Sequence, residues 1–237
     1  MPVTKKLTTS AAGNDVKSFL NKIASTPNLR PAGRGGRLVF GMDATASRMP
    51  TWEQARRIQG EMFEVTEGLG GIEIQLCYYF GLEQFFATPW MTNPAALRKF
   101  MNAVRCVGGY TQVEKLLAHT REETRRKKVD ALVFVGDCME EDVERLCQLA
   151  GQLGLLNVPA FLFHEGNDPI AQSAFRQIAS LTRGAYCRFD ASSAGQLRDL
   201  LRAVAVYAAG GRKALQDFSK NQPGPVLQLT RQLNERG

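Results

Sequence analysis

The chain has 237 residues, 44% of them apolar, enough for one good-sized domain with short tails or at most two small ones around an ordinary packed core. No apolar run approaches the roughly 20 residues of a membrane span, and Lys5 and Lys6 are followed by no apolar segment, so the start does not read as a secretory signal. The net charge of +7 belongs to the ends: residues 1–36 carry six Lys/Arg against one acid, 211–237 carry five against two, and 37–210 carry nineteen against twenty.

Basic tails can hold nucleic acid, but they are more often simply solvated, so nucleic-acid binding is a secondary reading here. The five cysteines (Cys77, Cys106, Cys138, Cys147, Cys187) are scattered and never spaced C-x-x-C. Free thiols in a reducing, cytoplasmic compartment are the expectation.

Residues 1–36 read as a basic arm. Within it, Asp15 opens a short helix over 16–24, and a Pro/Gly linker follows over 26–36. Leu38, Val39 and Phe40 then form a short buried strand that runs into a loop bearing Asp43, Thr45 and Ser47. Pro50 opens a helix with Ala55, Ile58, Met62, Val65 and Leu69 on one face. Residues 72–80 alternate and then become continuously apolar, as a strand does. Gly81-Leu82 turns, and 83–87 returns as the second strand of a hairpin.

Asn93-Pro94 starts another helix, with Leu97, Phe100, Met101 and Val104 on one side. A glycine loop over 106–111 (CVGGYT) leads into a helix over 112–128 that ends in four cations, a solvated end favoured by the helix dipole. Residues 131–135 (ALVFV) form the clearest strand, apolar on both faces, and they deliver Gly136-Asp137 to a sheet edge. Glu140, Glu141 and Asp142 stand in the first turn of the next helix, stabilising its own N-terminus. A strand over 158–163, a helix over 169–181, a strand over 185–189 and a helix over 194–208 complete the domain of 37–210. The extension 211–237 follows.

A carboxylate at the carboxyl end of a strand lies where open α/β sheets bind ligands. Asp43, Thr45 and Ser47 offer only hard oxygens, a donor set suited to Mg²⁺ or Mn²⁺ rather than zinc or copper. Asp43-x-Thr45-x-Ser47, Thr111 in the glycine loop and Asp137 after the apolar strand together resemble the three-part metal motif of von Willebrand factor A (VWA) domains. The likeness runs over roughly residues 37–208.

That resemblance implies an α/β, Rossmann-like, doubly wound fold, with a mostly parallel central sheet, one antiparallel edge strand and helices on both faces. It also implies a metal-ion-dependent adhesion site (MIDAS). There Thr45 and Ser47 would ligate Mg²⁺ or Mn²⁺ through hydroxyl oxygen, Thr111 would join when a partner is engaged, and Asp43 and Asp137 would supply charge. The partner would be a protein offering Asp or Glu to the ion, and intracellular bacterial members suggest an ATPase or chaperone-type assembly. The sequence departs from the usual pattern at Thr45, where serine is common, and at Cys138, where glycine is frequent.

Other readings remain beside this one. The three residues of the first loop could cap a helix, and Thr111 could cap its own. A Mg²⁺-dependent phosphohydrolase could use Asp43 as nucleophile, although Thr45 stands where such enzymes place a second Asp. His164 with Asp168 could form an acid/base pair, although a strand-end histidine is more often a hydrogen-bonded rim residue.

Overall fold

In a computed structural model of the chain, the structure describes residues 36–49, 72–189 and 202–208, with positions 18, 22 and 199. The expected helix after Pro50, most of the basic arm and the extension 211–237 lie outside the described residues.

Six strands form one sheet: β1 (Arg37–Asp43), β2 (Glu73–Phe80), β3 (Gln84–Ala87), β4 (Ala131–Gly136), β5 (Ala160–Glu165) and β6 (Ala185–Phe189). Their order across the sheet is β3-β2-β1-β4-β5-β6. Every neighbouring pair is parallel except β2 and β3, which form the expected antiparallel hairpin at the edge. Strand succession runs outward from β1 in one direction and outward from β4 in the other. The β1/β4 boundary is therefore the point where the winding reverses, the place where a crevice opens above the carboxyl ends of such a sheet.

The helices are α1 (Pro94–Ala103), α2 (Val113–Arg126), α3 (Val143–Leu155) and α4 (Pro169–Leu181), and residues 202–208 are helical as well. Side chains alternate across a strand, so β1 feeds two cores. Leu38, Phe40 and Met42 pack with Leu97 and Met101 of α1 and with the helical residues 203–208. Val39, on the other face, joins Leu116 and Leu117 of α2, Leu146 and Leu153 of α3, and Phe175 of α4. With β4 buried along its whole length, both faces of the sheet are covered, as the sequence led us to expect.

Local chemistry fixes the helix starts. Asn93 accepts from the amides of Ala95 and Ala96 with Pro94 at the first position of α1, Asp142 accepts from Arg145 N, and Asp168 accepts from Ala171 N ahead of α4. Among the described residues no helix is long and apolar enough to cross a membrane.

Four local expectations are corrected. Phe100 is exposed, because the inward stripe of α1 runs through Leu97 and Met101. The fifth strand begins at Ala160 and reaches Glu165, which brings His164 and Glu165 into the sheet, where His164 pairs with Gly136 and Arg188. The cations closing α2 are not merely solvated: Lys128 Nζ donates to the carbonyls of Leu156 and Asn157 just past α3, each at 2.7 Å.

The fourth correction concerns the acids after β4. Glu140 and Glu141 do not serve their own helix, which Asp142 caps. Glu141 accepts from Val113 N and Glu114 N, both at 2.7 Å, and Glu140 accepts from Thr111 N at 3.1 Å. Gln112 stands at the cap position of α2 without a side-chain capping bond, so its orphan amides are satisfied from the neighbouring loop.

Replacing Glu141 with alanine should therefore cost about 1–3 kcal/mol, the penalty of leaving part-buried helix amides without acceptors. The expected readout is a lower denaturant midpoint at unchanged slope.

Candidate metal centre

Asp43 is the last residue of β1, fully buried, and the β1–β4 register sets the end of β1 beside Val135 and Gly136, just before Asp137. One oxygen of Asp43 is used locally: Oδ1 accepts from Thr45 N at 2.7 Å. The other, Oδ2, is buried with no hydrogen-bond partner among the described residues, and so is Asp137 Oδ1. A carboxylate oxygen from each aspartate and the Cys138 sulfur all lie within 4.8 Å of one another. Two orphaned acceptors on neighbouring aspartates are costly to leave unpaired, and a cation between the carboxylates would resolve both.

The hydroxyls are placed unevenly. Thr45 Oγ1 and Ser47 Oγ meet at 3.0 Å, and Thr45 makes no side-chain capping bond to the 3-10 turn Ala46–Arg48; the helix expected after Pro50, which the cap reading concerned, lies outside the described residues. Thr45 is buried while Ser47 is exposed. Thr111 is held elsewhere: its Oγ1 accepts from Glu140 N at 2.9 Å. Asp43, Thr45 and Ser47 are thus joined through direct bonds, Asp137 comes up beside Asp43, and the Thr111 hydroxyl is tied to the loop that follows Asp137.

The loops are bound to one another as well as to the sheet. Thr45 bridges to Val107, whose amide donates to Ala44 O at 3.0 Å, and Tyr110 N donates to Gly81 O at 3.0 Å. Gly81 takes φ +63°, a left-handed conformation that favours glycine, and a side chain at Gly109 would overlap the Gly81 carbonyl. The two glycines let the hairpin turn and the glycine loop dock onto each other.

Sequence reasoning missed the group beneath the site. Arg48 is fully buried and donates to Asp43 O at 2.8 Å, and its Nε and Nη2 both reach Glu165 Oε2, at 3.1 and 3.0 Å. The only signal was an arginine directly after the hydroxyl loop and a glutamate at the end of an apolar strand. His164, expected at the rim, is fully buried, with Nδ1 against Tyr186 Oη at 2.9 Å and Nε2 against Asp137 O at 3.1 Å. Asp168 caps α4 instead of pairing with it.

Burial drives the electrostatics. It pushes the Asp43 carboxyl up to about 6; the Thr45 hydroxyl and amide and the Arg48 charge pull it back, and Asp137 adds to the rise. Burial also pushes the Cys138 thiol up to about 12, with Asp137 and Asp43 adding their repulsion. Tyr79, fully buried, is held protonated by burial and then by the charge of Asp43. The field in the crevice is negative, which is what a divalent ion requires.

No protein-family model matches the sequence, and no curated protein matches it. Solved structures do match in fold. A von Willebrand factor type A protein from Catenulispora acidiphila is 16% identical at a TM-score of 0.59, over 72% of this chain and 43% of that one. The SpRpn10 VWA domain is 12% identical at 0.59, over 71% of this chain and 94% of that one. Proximal thread matrix protein 1 from the mussel byssus, with a zinc-occupied MIDAS motif, is 15% identical at 0.59, over 73% and 46%. The fold is VWA-like, as the sequence motif implied.

Two outcomes follow for the metal-free protein. Unfolded aspartate releases its proton near 3.8, whereas folded Asp43 holds it to about 6, so the native state binds more protons between those values and stability falls as pH rises through that window. Asp43→Asn should therefore stabilise the chelator-treated protein at pH 7 by roughly 2–3 kcal/mol, from two units of displacement, with the gain vanishing near pH 4 in denaturant titrations. Glu165→Ala leaves the Arg48 charge buried without its carboxylate and should cost about 3–5 kcal/mol, read as a lower unfolding midpoint.

Proposed function

We propose that this chain is a metal-dependent protein-interaction domain in which a divalent cation, held at Asp43 and Asp137 with Thr45 and Ser47, accepts a partner's carboxylate as a further ligand. The observation that carries the reading is that two aspartates at the β1/β4 reversal, with carboxylate oxygens within 4.8 Å of one another, each have a buried oxygen without a hydrogen-bond partner among the described residues. Oxygen donors alone suit Mg²⁺ or Mn²⁺, which keep water and open positions readily. Two carboxylates neutralise the ion, the neutral hydroxyls complete its shell, and it stays electrophilic enough to take an Asp or Glu. Thr111 would join the shell when a partner docks, once its hydroxyl leaves Glu140.

The surroundings support docking. Met49, Leu82, Val107, Tyr110 and Ile170 are exposed large apolar side chains, and all stand on loops or a helix start at the carboxyl edge of the sheet. An apolar rim around a single charged anchor is the anatomy of an interaction site. The partner would be a protein with an accessible acidic side chain set in an apolar segment, of the kind found in ATPase or chaperone assemblies. The cytoplasmic placement rests on the five scattered cysteines, each a free thiol. We read the site as binding and not as an enzyme: Thr45 stands where a hydrolase of the aspartyl-phosphate type needs its second acid. Turnover of para-nitrophenyl phosphate with Mg²⁺ should be nil.

Asp43→Ala and Asp137→Ala should each abolish Mg²⁺ binding in calorimetry while leaving a folded domain. Affinity capture of partners should then fail in both variants, as it should for the native chain in chelator. Unchanged Mg²⁺ affinity in both variants would remove the reading.

A further inference from the structure

The third member of the close donor group is a half-buried thiol. Cys138 Sγ lies within 4.8 Å of a carboxylate oxygen of fully buried Asp43 and of half-buried Asp137, and each aspartate has one buried oxygen without a hydrogen-bond partner among the described residues. Other thiophilic donors nearby are excluded by their bonds or their distance. Both ring nitrogens of His164 are already hydrogen-bonded, to Tyr186 and to the Asp137 carbonyl. Cys106, half-buried in the loop beside Val107, feels the charge of both aspartates but is not a member of the close group.

We propose that this site also takes a borderline-soft divalent cation of the Zn²⁺ class, bound by Asp43, Asp137 and the Cys138 sulfur, and that it holds this ion more tightly than Mg²⁺. The inference rests on the metal reading of the same crevice and changes its donor set from oxygen alone to oxygen and sulfur. Thiolate and carboxylate together make an ordinary zinc shell, whereas Mg²⁺ gains nothing from sulfur.

The thiol enters the shell by losing its proton to solvent as the metal–sulfur bond forms, a step a coordinated cation brings about outright. With three protein ligands supplied, a fourth position stays open in tetrahedral geometry. A partner carboxylate can then still bind, so the docking role survives the change of ion. The same cysteine makes occupancy sensitive to oxidants, since an oxidised sulfur no longer donates in this way.

The test uses the full chain freed of metal with chelator, titrated with Zn²⁺ alone, Mg²⁺ alone and Co²⁺ alone. The native protein should bind Zn²⁺ more tightly than Mg²⁺ and should show a thiolate-to-cobalt charge-transfer absorption with Co²⁺. Cys138→Ser should lose that absorption and at least about 10-fold in Zn²⁺ affinity, the scale that loss of even an outer supporting group produces. Its Mg²⁺ affinity and unfolding midpoint should stay near native, and Cys106→Ser should keep the absorption.

Zn²⁺ affinity unchanged in Cys138→Ser, with no cobalt–thiolate absorption in the native protein but with binding abolished by Asp43→Ala, overturns the sulfur ligand and leaves the oxygen site standing. Zn²⁺ binding that survives Asp43→Ala and Asp137→Ala overturns the proposal too, because the sulfur would then act elsewhere. Loss of neither metal in the aspartate variants refutes the docking site itself.

Discussion

Two carboxylates held close together, one fully buried and one half-buried, are the constraint that organises the carboxyl edge of this sheet. With oxygens no more than 4.8 Å apart, the ionised pair repels by at least about 3 kcal/mol at an effective dielectric near 20. Each also keeps a buried acceptor with no hydrogen-bond partner among the described residues. A structure of marginal stability keeps such a feature where function demands it. A divalent ion answers both costs together, since it neutralises the pair and fills the empty lone pairs.

The rest of the edge reads as support for that arrangement. Arg48 holds the Asp43 backbone from below and is itself clamped by Glu165 across the sheet. The first loop is bridged to the glycine loop at Val107, the glycine loop to the hairpin turn at Gly81, and Thr111 to the loop after β4 through Glu140. Every loop that could contribute a ligand is therefore tied to a neighbour, so the donors keep their positions without a ligand to gather them. A preorganised site of this kind binds with less ordering cost than one assembled by its ion. Thr111 is the exception in this set, since its hydroxyl is engaged with Glu140. It is the natural moving part.

In the proposed site the identity of the ion would turn on one side chain. Where Asp43 and Asp137 offer oxygen alone, Cys138 brings sulfur into the same 4.8 Å group, and ligand softness separates the two classes of cation. The proposed docking chemistry would be common to both cations, because each leaves room for an incoming carboxylate.

Much of the fold was legible from local pattern. The apolar runs at Leu38–Phe40 and over 131–135, the Asn93-Pro94 helix start, and the 72–87 hairpin all act through neighbours a few residues away. Hydrophobic period and capping chemistry report on that range. The alternation of helix and strand then placed Asp43 and Asp137 at one edge, because parallel strands in a doubly wound sheet end together. The sequence by itself thus determined the strands, the sheet edge and the aspartates that would meet there. Only the tertiary structure decided what surrounds them: Arg48 with Glu165, 117 residues apart, Glu141 capping a helix that precedes it, His164 turned inward, and a cysteine facing the carboxylates. Those partnerships depend on which strands lie side by side, and a buried charge takes whatever partner that packing brings within reach.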